Sequence, residues 1–482
     1  MILEKSPCRT WRHSPLTVCL FLLMSERAAA VGFMVTAPSQ VTGLTNAGSA
    51  VYDRSTAAIA NNPAAMSLLD GEQIGGNLTA VIPDWDVNEG WDCKAEDSCS
   101  SSNAQDSTFI PTLGYVRPLS DRLTWGIGLA ASAGQGMDYG KRFRSRPIVT
   151  SNEVQVVGLI NSLSWRMNDK WTFGIGAGAM YGSFEQKQDL PSLSASAGED
   201  IASVIDFVGL AQQCQGLPPP ALALCLKGAV GESGLDPESA VETLSSIRSY
   251  LGGESGTRVK LEGDDIEAHV VVGLTYEFLP GHRLGLAYNY MSDFEFEGNA
   301  TIKGKLLSDE DYQKVDDSLT WDMPERLVIS GSHQLSTDFT FFWDFERVFF
   351  DDFESTDLNI EGYPELIIDR NFKDANRYAI GGEYAFTNRF TLQLGLSLDE
   401  SPVDDSDRMP DIPVEEIIKT SIGAIFQIND QLNVHTYAIA EFLGDGKIEQ
   451  LASIDGHKIG ESFNMDTDAV VYVFGVSVGY KF

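Results

Sequence analysis

The chain lacks a long hydrophobic run. Of its 482 residues 43% are hydrophobic, but after the first few dozen no apolar stretch is long enough to cross a membrane as a helix. This absence excludes a helical membrane protein. It leaves open a membrane β-barrel, because the strands of such a barrel are apolar on one face only.

Positive charge is also scarce. The chain has 34 Lys and Arg against 69 Asp and Glu, a formal net charge of −35. A protein this acidic does not bind nucleic acid by displacing counterions from phosphates, so we expect no nucleic-acid partner. The acidic residues predict a solvated surface. The alternative is that acidic external loops contact lipopolysaccharide through divalent cations.

Histidine is rare and scattered, with six residues in the whole chain. No H-E-x-x-H motif occurs, and no serine–histidine site can be assembled from the sequence. An acidic run over 404–411 lacks the glycine and the terminal glutamate of an EF-hand loop. We therefore expect no enzyme, no cofactor and no metal site.

Residues 1–30 have the organisation of a secretory signal peptide. Basic residues within the first twelve precede the short apolar run 16–24 and the small residues Ala28–Ala30. A membrane anchor is the alternative, but the apolar run is too short to span. We expect cleavage after Ala30. This removes four basic and two acidic residues and leaves a net charge of −37.

Four of the six cysteines would remain after cleavage. They form two local pairs in polar or Pro-rich stretches, Cys93 with Cys99 and Cys214 with Cys225. In a secreted chain such pairs predict two short loop disulfides. A zinc site is the alternative, although no histidine lies near either pair.

From residue 74 onward, strand-like segments alternate with connections. In the last one, Val470–Phe482, every second residue is bulky and apolar, while several of those between are small. This pattern is typical of a lipid-facing wall around a polar or filled interior. It predicts an all-β fold over 74–482, a transmembrane antiparallel β-barrel of about fourteen strands: 74–87, 109–117, 123–133, 153–167, 171–185, 265–279, 282–297, 322–335, 338–350, 375–386, 389–400, 415–428, 431–443 and 469–482.

Short turns alternate with long connections along the predicted barrel, as in outer-membrane barrels whose long loops lie outside. The largest connection, 186–264, has apolar and amphipathic helical segments that cap the mouth, bind an apolar ligand or pack on each other. We expect a monomer in the bacterial outer membrane, in contact with its lipid and lipopolysaccharide. The barrel-assembly machinery would recognise the last strand, which ends at Phe482.

Residues 31–73 precede the first strand and have neither a helical nor a strand period. About forty irregular residues are unusual in a compact domain, so we expect the barrel to surround them as a plug. A general diffusion porin is the rival interpretation, and a plugged lumen argues against it.

Several short motifs follow one another in an order that points to a known family. They are the start V-G-F at 31–33, N-P-A at 62–64, P-E at 324–325, F-K-D-A-N-R at 372–377 and D-E-S-P-V at 399–403. Together they resemble the FadL/TodX (OmpP1) family of outer-membrane transporters for long-chain fatty acids and hydrocarbons. The resemblance implies a fourteen-stranded barrel with an N-terminal hatch, ligand capture at external loops and lateral release into the membrane.

The resemblance also implies roles for individual residues. Phe33 would reach the ligand pocket, and Asn62, Pro63 and Ala64 would hold the hatch. The opening would lie in the third strand, where the glycines of its continuation, Gly134 and Gly136, weaken ladder pairing.

In the family, basic residues bind the carboxylate of the ligand. The positions of this chain that correspond to them hold Gln188 and Ile368, and the nearest basic residues are Lys187 and Arg370. An acidic chain also repels an anionic ligand. Long-chain fatty acids are therefore the first expected ligand, and neutral hydrocarbons are the alternative. Inside the barrel we expect Arg377 and Glu383 to form an ion pair.

Overall fold

A computed structural model describes residues 38–52, 54–85, 87–88, 100–101, 107–140, 148–190, 256–304, 312–350, 353–361, 366–413, 415–444, 446–449, 452–454, 457–459, 463–465 and 469–482. The predicted signal peptide, Phe33, the four remaining cysteines and most of the connection 186–264 lie outside these residues.

Fourteen strands form the wall of the molecule. In chain order they are β1 (Gln73–Asp84), β2 (Thr108–Pro118), β3 (Leu123–Asp138), β4 (Ser151–Arg166), β5 (Trp171–Leu190), β6 (Thr257–Leu279), β7 (His282–Met291), β8 (Glu325–Gln334), β9 (Phe339–Phe349), β10 (Ala375–Thr387), β11 (Phe390–Asp399), β12 (Ile417–Gln427), β13 (Leu432–Leu443) and β14 (Val470–Lys481).

Each strand pairs antiparallel with the next strand of this series. The last strand pairs with the first, from Lys481 opposite Gln73 to Val470 opposite Asp84. The ring is therefore a closed antiparallel barrel, and the prediction of an all-β barrel with fourteen strands is confirmed.

The alternation of the sequence matches the two faces of the wall. On β14 the side chain of Phe474 is 46% exposed and that of its neighbour Val473 is 6% exposed. The same outward apolar series occurs on β5 with Phe173 and Ile175, and on β11 with Leu394 and Leu396. These exposed apolar side chains form the band that faces lipid.

Several strand boundaries differ from the prediction. The sixth strand begins at Thr257 rather than residue 265, and the fifth continues to Leu190, with Lys187 opposite Lys260. Apolar alternation stops earlier than the ladder because the strands continue beyond the lipid-facing band, where outward side chains are polar. The seventh strand ends at Met291, and the following Phe294–Lys303 forms a separate hairpin with Tyr312–Trp321.

Residues 38–70, called the inner segment below, contain three short helices: the 3₁₀-helix Gln40–Leu44, the α-helix Ala58–Asn61 and the 3₁₀-helix Pro63–Leu68. The segment bonds to strands on all sides of the ring, including β4, β8, β9, β12 and β13. It therefore lies within the ring. No helix in the described part of the chain is long and apolar enough to cross a membrane.

Candidate functional site

Asn62 fixes the inner segment to the wall. Its side-chain amide donates to the carbonyl oxygens of Ala50 (2.6 Å) and Leu286 (3.3 Å), and its Oδ1 accepts from the N–H of Ala64 (3.0 Å). Asn62 is thus the N-cap of the helix that begins with Pro63, a residue whose fixed φ suits the first helical position. The motif joins two parts of the inner segment to β7.

Glycines on the wall allow this close approach. A Cβ atom on Gly174 of β5 would lie 2.1 Å from the backbone nitrogen of Ala64, and one on Gly273 of β6 would lie 1.7 Å from Oδ1 of Asn62. Any side chain at these positions would displace the N-P-A motif. The structure therefore brings Asn62, Pro63 and Ala64 into contact with the wall, while their role in gating stays a prediction.

Two wall carboxylates hold the other half of the inner segment. Asp344 on β9 accepts from the N–H of Gly48 (2.7 Å) and from the hydroxyl of Ser49 (2.6 Å). Glu383 on β10 accepts from the hydroxyl of Tyr52 (2.8 Å) and pairs with Arg54 (3.0 Å). Sequence analysis missed Asp344, because an isolated aspartate within a strand pattern gives no signal of a distant partner.

The predicted ion pair between Arg377 and Glu383 is wrong. Both side chains are buried and both are ion-paired, but Arg377 contacts Glu346 (2.7 Å) and Asp344 (3.5 Å), whereas Glu383 contacts Arg54. The two residues are six positions apart on β10, which separates their Cα atoms by about 20 Å.

Arg377 belongs instead to a row of alternating charges on six neighbouring strands. This charged row lies near the long-loop ends of β8 to β13 and consists of Arg326, Glu346, Arg377, Asp399, Lys419 and Glu441. Register places Glu346 opposite Arg377, Arg377 opposite Asp399 and Lys419 opposite Glu441. Arg326 reaches Glu346 at 2.6 Å and Lys419 reaches Asp399 at 2.9 Å. Each charge therefore has an opposite charge beside it.

A buried apolar cluster reaches from β4 round to β10 and includes Val348 of β9 and Ala375 of β10. Its part away from most of the charged row is formed by inward residues of β4 to β6 and by the hairpin that follows β7. We call this part the apolar cluster: Val154, Val156, Met180, Phe184, Val259, Leu261, Phe294, Phe296 and Trp321. The rings of Phe294 and Phe296 stack at 5.2 Å. The cluster also includes Ile59 and Met66 of the inner segment, so it extends down to that segment.

The two head-group candidates do not face a common pocket. Lys187 is on the outer face of β5, half-exposed, and pairs with Glu185 at 2.6 Å. Arg370 is buried and pairs with Asp411 at 2.6 Å, while its Nε donates to the hydroxyl of Thr356 (2.9 Å). The structure therefore assigns both cations to protein carboxylates, and it places Lys187 away from the lumen.

Strand β3 loses its β2 partner part-way along. Pairing between the two strands runs from Thr124 opposite Pro118 to Leu129 opposite Leu113, and no described residue of β3 beyond Leu129 pairs with β2. A bulge at Ser132 follows, where the register with β4 shifts by one residue. Residues 109–112 of β2 and 130–138 of β3 are therefore not paired with each other. We call this unpaired stretch the ladder gap, and it is about 13 Å long on the β2 side.

Gly134 and Gly136 lie within this gap, and both keep their pairing with β4. The ladder with β2 is lost four residues before Gly134, so the glycines do not mark its start. Pro111, on the β2 side, has no backbone N–H and is typical of a strand edge. Pro111 is the sequence signal that could have located the gap.

A cavity lies beside the ladder gap. The inner segment contributes Thr56 and Ile59 to its lining, and the wall contributes Leu113, Leu129 and Ala130, which stand where the β2–β3 ladder ends. On the other flank of β3, Gln135 donates to the carbonyl oxygen of Asp411 (2.8 Å). The ion pair of Arg370 with Asp411 therefore holds the loop that rests on this part of β3.

One sequence match to a hydrolase motif has no matching geometry. Gly475–Gly479 reads G-V-S-V-G, a G-x-S-x-G pattern, and Ser477 lies opposite His435. However, Ser477 is in the middle of strand β14 rather than on a strand-to-helix turn. Its hydroxyl accepts from Asn77 (2.7 Å), and Nε2 of His435 bonds to Gln393 (2.7 Å). Both side chains are buried partners in a polar network.

Two curated relatives match this chain along almost its whole length. A long-chain fatty acid transport protein of Escherichia coli O6:H1 is 20% identical over 473 residues, covering 95% of this chain and 96% of the relative. Outer membrane protein P1 of Haemophilus influenzae is 19% identical over 494 residues, covering 98% of this chain and all of the relative.

Solved structures share the fold. A Pseudomonas aeruginosa FadL homologue superposes with a TM-score of 0.73 at 18% identity, covering 94% of this chain and all of the homologue. The Pseudomonas putida toluene transporter TodX superposes with a TM-score of 0.62 at 18% identity, covering 94% and 99%.

The model of one protein family matches residues 21–482, nearly the whole chain. Together with the closed barrel and its lipid-facing band, this match places the protein in the bacterial outer membrane. The chain belongs to the outer membrane protein transport protein family (OMPP1/FadL/TodX).

Proposed function

We propose that this protein takes up hydrophobic molecules across the outer membrane, with long-chain fatty acids as the first ligand class. Ligand is captured at the external loops and passes the apolar cluster. It leaves sideways through the ladder gap when the inner segment, acting as a hatch, rearranges. Curated relatives that match over almost the full length carry the name of long-chain fatty acid transport proteins, which supports this ligand class.

The ladder gap beside the cavity is the observation that carries the proposal. A wall without a β2–β3 ladder at this point can part without breaking backbone hydrogen bonds between those strands. The exit would lead an acyl chain directly into the hydrocarbon layer. Each methylene contributes about 0.8 kcal/mol when it stays out of water, so lateral release avoids a cost that an aqueous pore would impose.

Deletion of Ser132 tests this route. The deletion removes the bulge and leaves Ala133, Gln135 and Met137 on the inner face, because the bulge itself shifts the register by one residue. We expect a straighter β3, a longer β2–β3 ladder and severalfold slower uptake of labelled oleate by cells.

A matched control is deletion of Phe278, which lies at the register shift in β6 near the opposite rim. This variant should insert and transport like the wild type. Uptake at the wild-type rate in a correctly inserted Ser132 deletion would refute release through the ladder gap.

Neutral hydrocarbons are the second candidate, and one observation favours them. Lys187 and Arg370 are both bound to protein carboxylates, so neither cation stands ready for a fatty carboxylate. Binding of oleate and of toluene to the purified protein at two salt concentrations separates the candidates. Tighter oleate binding that weakens with salt supports fatty acids, and equal or tighter toluene binding supports hydrocarbons.

Binding of neither ligand would return the diffusion-porin interpretation. Recognition of β14 by the barrel-assembly machinery and the monomeric state stay predictions.

A further inference from the structure

The outer face of β5 and β6 changes from apolar to charged toward the rim that carries the long loops. Outward residues of β5 are apolar from Phe173 to Tyr181, and Glu185 and Lys187 then follow on the same face. Strand β6 changes in the same way, with charged outward residues above Ile266. The two strands therefore extend the wall beyond the lipid-facing band and present charge to its surroundings.

Five cations gather in two adjacent rows on this extension and on the hairpin that pairs with it. Lys187 on β5 lies opposite Lys260 on β6, and Arg258 on β6 lies opposite Lys303. Thr301, the next residue across from Lys260, lies opposite Lys314. Directly opposite residues in a ladder project to the same face. We call this group the basic patch: Lys187, Arg258, Lys260, Lys303 and Lys314.

Neighbouring carboxylates neutralise only part of the basic patch. Glu185 pairs with Lys187 (2.6 Å) and with Lys260 (2.9 Å), and Glu262 also pairs with Lys260. Within the described ranges Arg258, Lys303 and Lys314 form no ion pair, and all three are exposed.

Asp189, which lies opposite Arg258, accepts from the backbone N–H of Gly256 at 3.0 Å. Like charges placed directly opposite each other destabilise a ladder. An external anion bound at Arg258 and Lys303 would remove that cost.

We infer that the basic patch binds phosphate groups of lipopolysaccharide. Lys187 lies six residues beyond Tyr181, about 20 Å along the strand, on the rim that faces outward. Phosphorylated sugars of the outer leaflet lie beyond the acyl chains, as this charged part of the wall lies beyond the lipid-facing band. Arg and Lys are the usual protein donors to phosphate. The remainder of this strongly acidic chain repels such an anion, which confines its docking to the patch.

The test compares binding of intact and dephosphorylated lipopolysaccharide to the purified full-length protein. The variant is Arg258→Gln with Lys303→Gln. The matched control is Lys170→Gln with Arg389→Gln, two exposed cations at the short-turn rim. From about 1 kcal/mol per basic residue near a charged lipid surface, the patch variant should bind intact lipopolysaccharide roughly thirtyfold more weakly. The control variant should bind like the wild type.

Three results would overturn the inference. They are equal affinity of the wild type for intact and dephosphorylated lipopolysaccharide, equal loss in the control variant, and wild-type affinity in the patch variant. Abolition of binding by EDTA, with a loss in Glu262→Gln and Asp264→Asn instead, would assign docking to the adjacent carboxylates through divalent cations. If the double variant does not fold, Lys314→Gln alone replaces it. Ligand uptake is not measured, so the result is independent of the proposed function.

Discussion

The two sides of the lumen are built from the same alternating strands but hold the inner segment by different physics. On β8 to β13 the charged row stands above Asp344 and Glu383, which bind the inner segment through hydrogen bonds and an ion pair. On β4 to β6 the apolar cluster and the glycines opposite the N-P-A motif hold it by packing.

The difference suggests a division of labour. Buried charges contribute little net stability, but they are costly to separate, so they fix the strands that carry them. Apolar contacts are non-directional and can be exchanged for contacts with an apolar ligand. The ladder gap between β2 and β3 adjoins the apolar side, so we expect motion and ligand there and rigidity on the charged side.

Loss of one charge should have the largest effect. In Arg377→Met the carboxylates of Glu346, Asp344 and Asp399 would face each other without their shared cation. We expect the free energy of unfolding to fall by about 3–5 kcal/mol, measured by denaturant titration of the refolded barrel. Lys170→Met, at an exposed turn, should change it by less than about 0.5 kcal/mol. Similar values for both variants would show that Arg377 does not hold these carboxylates together.

A methyl group added to Gly174, on the side held by packing, should reduce stability less, and its effect should be limited to the inner segment. In Gly174→Ala the new Cβ meets the backbone of Ala64, and overpacking of this kind costs about 1–3 kcal/mol. We expect faster proteolysis of the inner segment and altered oleate uptake. Gly76→Ala is the matched control, since its Cβ would have 3.4 Å to the nearest atom. Unaltered proteolysis and uptake in Gly174→Ala would show that the contact does not position the segment.

A pH effect is expected in the hairpin above the apolar cluster. Burial, followed by the nearby carboxylate of Glu262, raises the pKa of Asp317 to about 7. The pKa of Asp317 is higher in the folded than in the unfolded protein, so the protonated carboxyl favours the folded state. This stabilisation of the folded state is complete below about pH 4. It is lost as pH rises through 7.

Hydrogen exchange of Tyr312–Trp321 should therefore be slower at pH 5 than at pH 8 after correction for the intrinsic rate. Asp317→Asn should remove this difference. Asp316→Asn should keep most of it, since Asp316 is the smallest cause of the raised pKa. The same pH dependence in Asp317→Asn would assign it to another group.

The smallest effect is expected at Lys187. Its ammonium is outside the barrel wall and paired with Glu185, so Lys187→Ala should leave the oleate dissociation constant within about twofold, on the scale of surface substitutions. Isothermal titration with the purified protein measures this. A tenfold loss would return Lys187 to the ligand site and weaken the contrast between an outer basic face and an apolar lumen.

Most of the wall could be predicted from the sequence. Strand β10 was expected over 375–386 and spans Ala375–Thr387, because a strand with one apolar face shows a clear alternation in sequence. The predicted boundaries were wrong where the outward residues are not apolar. Strand β6 was expected eight residues too late because its outer face is charged from Arg258 to Asp264.

The site was less predictable than the wall. The N-P-A motif was found through resemblance, but its glycine partners Gly174 and Gly273 lie more than a hundred residues away in sequence. Arg377 was correctly expected to form an ion pair within the barrel, but the expected partner was wrong. The period of a strand shows which face a residue occupies, and it does not show which residue of another strand lies beside it.

By itself, then, the sequence determined the fold class and which face each strand turns to lipid, because alternation and burial are local properties with a period of two. Only the tertiary structure decided the charged row, the carboxylates that hold the inner segment and the place where β3 leaves β2. These features depend on which residues of different strands share a register, and closure of the ring sets that register.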